Sequence, residues 1–321
     1  ASARSSASMM ERDSKIYVAG HSGMVGSALV RRLRAAGFEC LLLPTHQELD
    51  LTKQDKVEAF FRRERPRYVF VAAGLVGGIR ANSEAPADFF SVNMAIAQNV
   101  IQSSHAYGVE KLLYLGSACM YPANCRQPMG EDALLTDLPE VTNEGYALAK
   151  ICGCRLCSYL QRQYGDRFFS TIPANAYGLH DSFDPQKSHV IPALIAKFHR
   201  AKMECLPQVE LWGSGRALRD FLYTEELYDG FIYVLEHYDE TGPINMGSGE
   251  EVSMQRLAEI IRDITGYEGE IVCDASKPDG MARRMVDSTK ISQLGWQAKT
   301  SLQVGLNLVY QDYLSQIGEM G

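Results

Sequence analysis

The feature that most constrains this chain is a glycine-spaced turn near its start, set between an apolar run and an amphipathic stretch. Lys15–Ala19 (KIYVA) is a short β-rich run, followed by Gly20-His21-Ser22-Gly23-Met24-Val25-Gly26. Ser27–Ala36 (SALVRRLRAA) then carries a helical pattern closed by Gly37. In such a G-x-x-G-x-x-G turn, Gly20 permits the tight bend and Gly23 lets backbone approach a pyrophosphate. Gly26 lets the helix pack on the strand. The helix N-terminus offers free N–H groups and a partial positive charge to that pyrophosphate. Strand, turn and helix in this order predict a dinucleotide site, with a ligand-free structural turn as the plain alternative.

The alternation continues. Strands are expected at Glu39–Leu43, Tyr68–Ala73, Lys111–Leu115 and Phe168–Ile172, and helices at Gln54–Arg63, Phe89–Tyr107 and Glu144–Tyr164. Strands and helices in this rhythm imply an α/β fold, a Rossmann-type doubly wound parallel sheet with helices on both faces. Ligands bind such sheets beyond the carboxyl ends of the strands, at the switch point. Gly20, Gly74 and Ser117 each follow a predicted strand and so gather on that rim.

Beyond Gly178 the pattern loosens. Ser188–Lys202 and Ser253–Thr265 read as helices, Leu211–Asp220 as turn-like and Gly269–Cys273 as a strand. This half is expected to form a smaller C-terminal α/β substrate lobe over the rim, with parts threading back onto the sheet. The expected division is a disordered extension over 1–13, a dinucleotide-binding domain over 14–178, and a mainly substrate-binding lobe over 179–321.

Composition removes several classes. A net charge of −7 argues against nucleic acid as a partner. No apolar run approaches membrane-spanning length, and residues 1–13 lack the apolar core of a secretory signal. Eight cysteines in 321 residues are not needed as disulfide staples, and no Cys/His cluster has zinc-like spacing. They read as small reduced side chains, with no metal expected.

The dinucleotide is less constrained. An acid ending the second strand would hold the ribose 2′-hydroxyl of NAD, and a nearby arginine would suit the 2′-phosphate of NADP. Leu41-Leu42-Leu43-Pro44-Thr45-His46 has neither. The missing carboxylate favours NADP (NADPH), with NAD left open. Ser22, Arg31 and His46 are candidate phosphate contacts, and Asp50-Leu51-Thr52 falls where a turn could meet the adenine.

The chemistry is expected from Tyr146-Ala147-Leu148-Ala149-Lys150, because residues four apart share a helix face. An ammonium beside a phenol favours the phenolate and lowers the tyrosine pKa, preparing Tyr146 to exchange a proton with a reacting oxygen. Ser117, at the end of the fourth strand, stands where it can hydrogen-bond that oxygen. Tyr-x-x-x-Lys alone is usually structural, but together with the glycine loop and the strand-end serine it resembles the short-chain dehydrogenase/reductase superfamily in its extended form.

A closer resemblance is carried by AGHSGMVGS (19–27), VGGIRAN (76–82), ADFFSVNM (87–94), GSACMYP (116–122) and Gln127-Pro128-Met129. TNEGYALAK (142–150), SHVIPAL (188–194), LWGSG (211–215) and CDASKPDG (273–280) extend it over nearly the whole chain. Together they resemble the GDP-L-fucose synthase family, whose enzymes epimerise C3 and C5 of a GDP-4-keto-6-deoxymannose and then reduce C4. The resemblance implies a cytoplasmic homodimer with NADPH in the first lobe and a GDP-sugar in the second.

It further implies residue roles. Cys119 and His189 match the family's base and acid for epimerisation; without the resemblance they would read as a strand-end thiol and a helix-start histidine. Ser117, Tyr146 and Lys150 match the reduction machinery. Cofactor contacts fall on Gly20, Ser22, Gly23, Met24, Val25, Gly26, His46, Asp50, Leu51, Ala73, Tyr146, Lys150, Pro173, Asn175 and His189. Sugar-nucleotide contacts fall on Ser117, Cys119, Asn175, Val190, Leu194, Lys197, Trp212, Arg219 and Lys277. An aromatic face and cations are what a guanine and a diphosphate require.

The chain departs from the family pattern at several positions. Ser22 and Pro44 stand where the family has arginines that contact NADPH, and Lys197 replaces an arginine's fork with a point charge. Leu75, Gly145 and Leu179 also differ, the last two at usual prolines. Two other readings stay open: an epimerase-reductase or 4-reductase for another GDP-4-keto sugar (a heptose or dideoxy sugar), and a non-catalytic, cofactor-binding regulatory protein.

Overall fold

A computed structural model describes residues 10–184, 188–277 and 281–318. Its centre is a six-stranded parallel sheet. From one edge the strands run Pro243–Met246, Arg167–Pro173, Lys111–Leu115, Tyr68–Val71, Ile16–Ala19 and Leu41–Leu42. Ile16–Ala19 and Tyr68–Val71 are buried at every position. Continuous burial of this kind requires cover on both faces, which explains why these segments read as unbroken apolar runs. Met24–Ala35 packs against Thr224–His237, while Gln54–Glu64, Pro86–Ala106 and Glu144–Tyr164 pack side by side. The sheet is therefore α/β and doubly wound.

The order of strands reverses between the first and third. From Ile16–Ala19 the chain adds Leu41–Leu42 on one side and then Tyr68–Val71 on the other. The crevice at that reversal is where such sheets take ligands, and the Gly20 turn opens onto it. The second strand spans two residues rather than the expected five, because Pro44 cannot donate to a ladder and Leu43 no longer pairs.

The sixth strand comes from far along the chain: Pro243–Met246 pairs with Ser170–Pro173. Around a second apolar core built on Leu194, Ile195, Phe198, Leu257 and Leu306, helices Val190–Met203, Met254–Thr265 and Leu302–Gly318 pack with one another. Leu211–Asp220, expected to be turn-like, is strand at both ends. Gln208–Trp212 pairs with Glu270–Asp274, and Leu218–Arg219 lies between Val252–Ser253 and Arg283–Arg284. Only the turn at positive-φ Gly213 and Gly215 matches the expectation.

The expected N-terminal extension also needs correction. Residues 1–9 lie outside the described residues, but Met10 is buried in the main core and Glu11 pairs with Arg67. All eight cysteines are free thiols. Among the described residues no helix is long and apolar enough to cross a membrane.

Candidate active site

The switch-point crevice is the floor of a cavity of about 1010 Å³. Its first wall is the glycine turn. Gly20 has φ +82°, and a Cβ there would lie 2.6 Å from Ala73 N. A Cβ at Gly26 would lie 2.0 Å from Gly20 O, so both glycines are demanded by the fold itself. Gly23 differs. A Cβ there would meet only Gly20 O, at an ordinary 3.5 Å. Gly23 is the N-cap of Met24–Ala35, and no side chain caps that helix. The uncapped N–H groups and open space above Gly23 fit a pyrophosphate.

Ser22, Met24, Val25, His46, Asp50, Leu51, Ala73 and Pro173 complete this end of the lining. The Asp50 carboxylate accepts Thr52 Oγ1–H at 2.7 Å and Thr52 N–H at 2.9 Å, bonds that hold it below the usual carboxylate range. Arg31, a candidate phosphate contact in the sequence, is turned away: its Nη2 donates to Glu225 Oε1 at 2.7 Å.

The reacting groups stand midway along the cavity. Ser117 follows the fourth strand, and its Oγ accepts the Cys119 N–H at 3.3 Å across a single 3₁₀ turn. The helix Glu144–Tyr164 brings Tyr146 and Lys150 to the same wall. Lys150 Nζ donates to Leu115 O at 2.9 Å and lies 5.9 Å from the Tyr146 ring centre and 4.9 Å from that of Tyr114. Asn93 braces the neighbouring loop, accepting Leu75 N–H and donating to Leu75 O, each at 3.0 Å.

The electrostatics differ from the sequence expectation. Burial pushes the Tyr146 phenol up, well above an ordinary tyrosine, while the Ser117 hydrogen bond pulls it back. Burial also lowers Lys150 to about 8. Desolvation dominates, and the nearby amine does not make this phenol unusually acidic. Tyr146 is thus a protonated donor at neutral pH, which suits protonation of an oxygen during reduction.

Cys119 and His189 face the same cavity. Cys119 Sγ is 3.8 Å from Arg284 Nη1. His189 is the N-cap of Val190–Met203, and its Nδ1 lies 3.5 Å from Asp181 Oδ2. Asn175 Nδ2 donates to Asp220 O at 2.9 Å and lines the cavity between the two groups of residues.

At the far end, Val190, Trp212 and Arg219 line the cavity, Trp212 with 65% of its surface exposed. Three expected sugar contacts do not. Leu194, one turn into its helix, is buried in the second core. Lys197, a further turn along, donates to Glu210 O. Only the first turn of that helix meets the cavity, so residues deeper in it are carried away. Lys277 stands outside the lining, its Nζ 5.8 Å from the Trp212 ring centre. Conversely, Arg284, Asn82, Asn143 and Met254 line the cavity without having been singled out. Arg284 had a signal, the Arg283-Arg284 pair between Met281 and Met285-Val286, but it lies in the half of the chain where periodicity is weakest. Among the described residues no group of three or more His, Cys, Asp or Glu is placed to hold a metal.

Residues 16–247 match the NAD dependent epimerase/dehydratase family. The chain is 48% identical to GDP-L-fucose synthase 1 of Arabidopsis thaliana, covering 97% of this chain and 96% of that one. It superposes on a GDP-6-OMe-4-keto-L-xylo-heptose reductase from C. jejuni with a TM-score of 0.90 at 36% identity, over 96% of this chain and all of that one. A GDP-L-fucose synthetase from Naegleria fowleri bound to NADP gives 0.87 at 25% identity, over 97% of each chain. The chain belongs to the GDP-L-fucose synthases of the NAD dependent epimerase/dehydratase family.

Proposed function

We propose that this protein is a GDP-L-fucose synthase: it epimerises GDP-4-dehydro-6-deoxy-D-mannose at C3 and C5 and then reduces C4, with NADPH. The observation that carries this reading is that one cavity holds two separable sets of groups. Ser117, Tyr146 and Lys150 suit reduction of a ketone, and Cys119 and His189 suit proton exchange beside it. A reductase alone has no need of the second set.

The nicotinamide supplies the hydride when bound, and the uncapped helix after Gly23 supports its pyrophosphate. Cys119 removes a proton α to the ketone and His189 returns one on the opposite face. Tyr146 then protonates the C4 oxygen, with Ser117 hydrogen-bonded to its hydroxyl. Lys150 holds the end of the fourth strand through Leu115 O. Trp212 offers a stacking face to the guanine, and Arg219 a cation to the diphosphate.

NADPH rather than NADH is part of this reading. So are a cytoplasmic setting and a homodimer, for which a groove of about 530 Å³ lined by Met94, Ala97, Leu148, Ile151 and Leu156 on the paired long helices offers an apolar face. Likeness to the heptose reductase favours a second reading, a 4-reductase for another GDP-4-keto sugar. Comparing turnover of GDP-4-keto-6-deoxymannose with that of a GDP-4-keto-heptose separates them; faster turnover of the heptose would select the second.

A further inference from the structure

His189 lines the cavity and has a role in the proposed reaction, but its charged partner Asp181, behind that lining, has none. Asp181 has a side chain only 7% exposed, and its Oδ1 accepts the Ser182 N–H at 2.8 Å. Its Oδ2 lies 3.5 Å from His189 Nδ1, long for a hydrogen bond, and has no close hydrogen-bond donor among the described residues. The contact is therefore a charge pair.

His189 needs such a partner. It caps the N-terminus of a 14-residue helix, where the partial positive charge disfavours another cation. Its side chain is 59% exposed, and the partial loss of water against the cavity wall also favours the neutral ring. His189 nonetheless sits above an ordinary histidine, because the Asp181 carboxylate outweighs burial. Cys119, Tyr146, Lys150, Arg219 and Arg284 line the same cavity.

We propose that Asp181 is the positioning residue for His189: its buried carboxylate holds Nδ1 of the imidazolium and leaves Nε2 to deliver the epimerisation proton. This rests on the reading of His189 as the epimerisation acid. In each inversion the Cys119 thiolate takes the proton α to the ketone, and the C–H bonding pair moves toward the carbonyl oxygen to form an enolate. The enolate carbon then takes the Nε2 proton on the opposite face, leaving thiol and neutral imidazole. Transfer of the thiol proton to the imidazole through solvent restores both groups. With a neutral ring at the start, no proton is available to complete the inversion.

The test is an NMR titration of the His189 ring in the cofactor-loaded full chain, paired with deuterium incorporation into the GDP-4-keto sugar. Asp181→Asn keeps an oxygen for the Ser182 N–H, so its fold is expected to hold. In this variant His189 should titrate below an ordinary histidine instead of above. Deuterium incorporation at pH 7.5 should fall at least about tenfold, the shortfall narrowing toward pH 6 while NADPH affinity holds. Asp312→Asn, whose carboxylate lies 3.9 Å from His180 Nδ1, is the control and should leave His189 unchanged. An unaltered His189 titration in Asp181→Asn overturns the pairing alone. A shifted titration with an unaltered exchange profile overturns the role. No exchange by the wild type overturns the proposed epimerase activity, and the role with it, whatever the titration shows.

Discussion

Tyr146 and Lys150 share a wall of the cavity, and burial drives their ionisation in opposite senses: the phenol is held neutral and the ammonium is destabilised. An unfolded lysine titrates near 10.4, whereas folded Lys150 titrates at about 8. Between those values the unfolded chain binds the extra proton, so this group makes folding more favourable as pH rises from about 8 to about 10.4. Below that window its burial costs on the order of 3 kcal/mol. Lys150→Met should therefore raise the thermal midpoint at pH 7, corresponding to about 1–3 kcal/mol once the lost bond to Leu115 O is counted, and this advantage should shrink toward pH 10. A variant less stable than wild type at pH 7 would contradict this.

Two substitutions separate the chemical steps. Tyr146→Phe should lower hydride transfer by about 10²–10⁴-fold while deuterium exchange at C3 and C5 continues. Cys119→Ser should stall that exchange with NADPH affinity intact. Equal loss of both steps in Tyr146→Phe would show that they do not separate in this way. At this scale the sequence was highly legible where a motif fixes local geometry. Ser117, Tyr146 and Lys150 come together because one ends a strand and the others sit one helical turn apart. It is illegible where desolvation decides, because a residue string carries no burial: the Tyr-x-x-x-Lys spacing predicts a lowered phenol, and burial raises it.

Among the elements, the first helix tests the cofactor site. Gly26→Ala should misfold or strongly destabilise the chain, since its Cβ would lie 2.0 Å from Gly20 O. Gly23→Ala has room for its Cβ, and should change stability by no more than about 0.5 kcal/mol while weakening NADPH binding at least tenfold by calorimetry. Unchanged affinity would remove Gly23 from the pyrophosphate site. Elements with strong periodicity were readable nearly to the residue: Met254–Thr265 was expected from Ser253, which is its N-cap. Two-residue strands such as Leu218–Arg219 and Arg283–Arg284 are too short to show a period. Their pairing is what carries Arg219 and Arg284 toward the cavity, so Arg284 escaped notice. The family resemblance points to Leu194 and Lys197 as sugar contacts, but only the first turn of their helix faces the cavity.

For the whole molecule, the sheet order and its reversal follow from the alternation of strands and helices, but the sixth strand does not. Pro243–Met246 joins the sheet after four intervening short strands that belong to three small sheets, a long-range pairing that no local pattern announces. That crossing ties the C-terminal half to the first, as do the Arg31–Glu225 and Arg32–Asp229 ion pairs between the first helix and Thr224–His237. The cavity between glycine turn and Trp212 exists only because both halves close on the same rim. The most direct measurement of the central claim is incubation of the purified protein with GDP-4-keto-6-deoxymannose and NADPH, following NADPH absorbance and the sugar product together. NADPH consumption with formation of GDP-L-fucose is the predicted result; no consumption with either NADPH or NADH would contradict it.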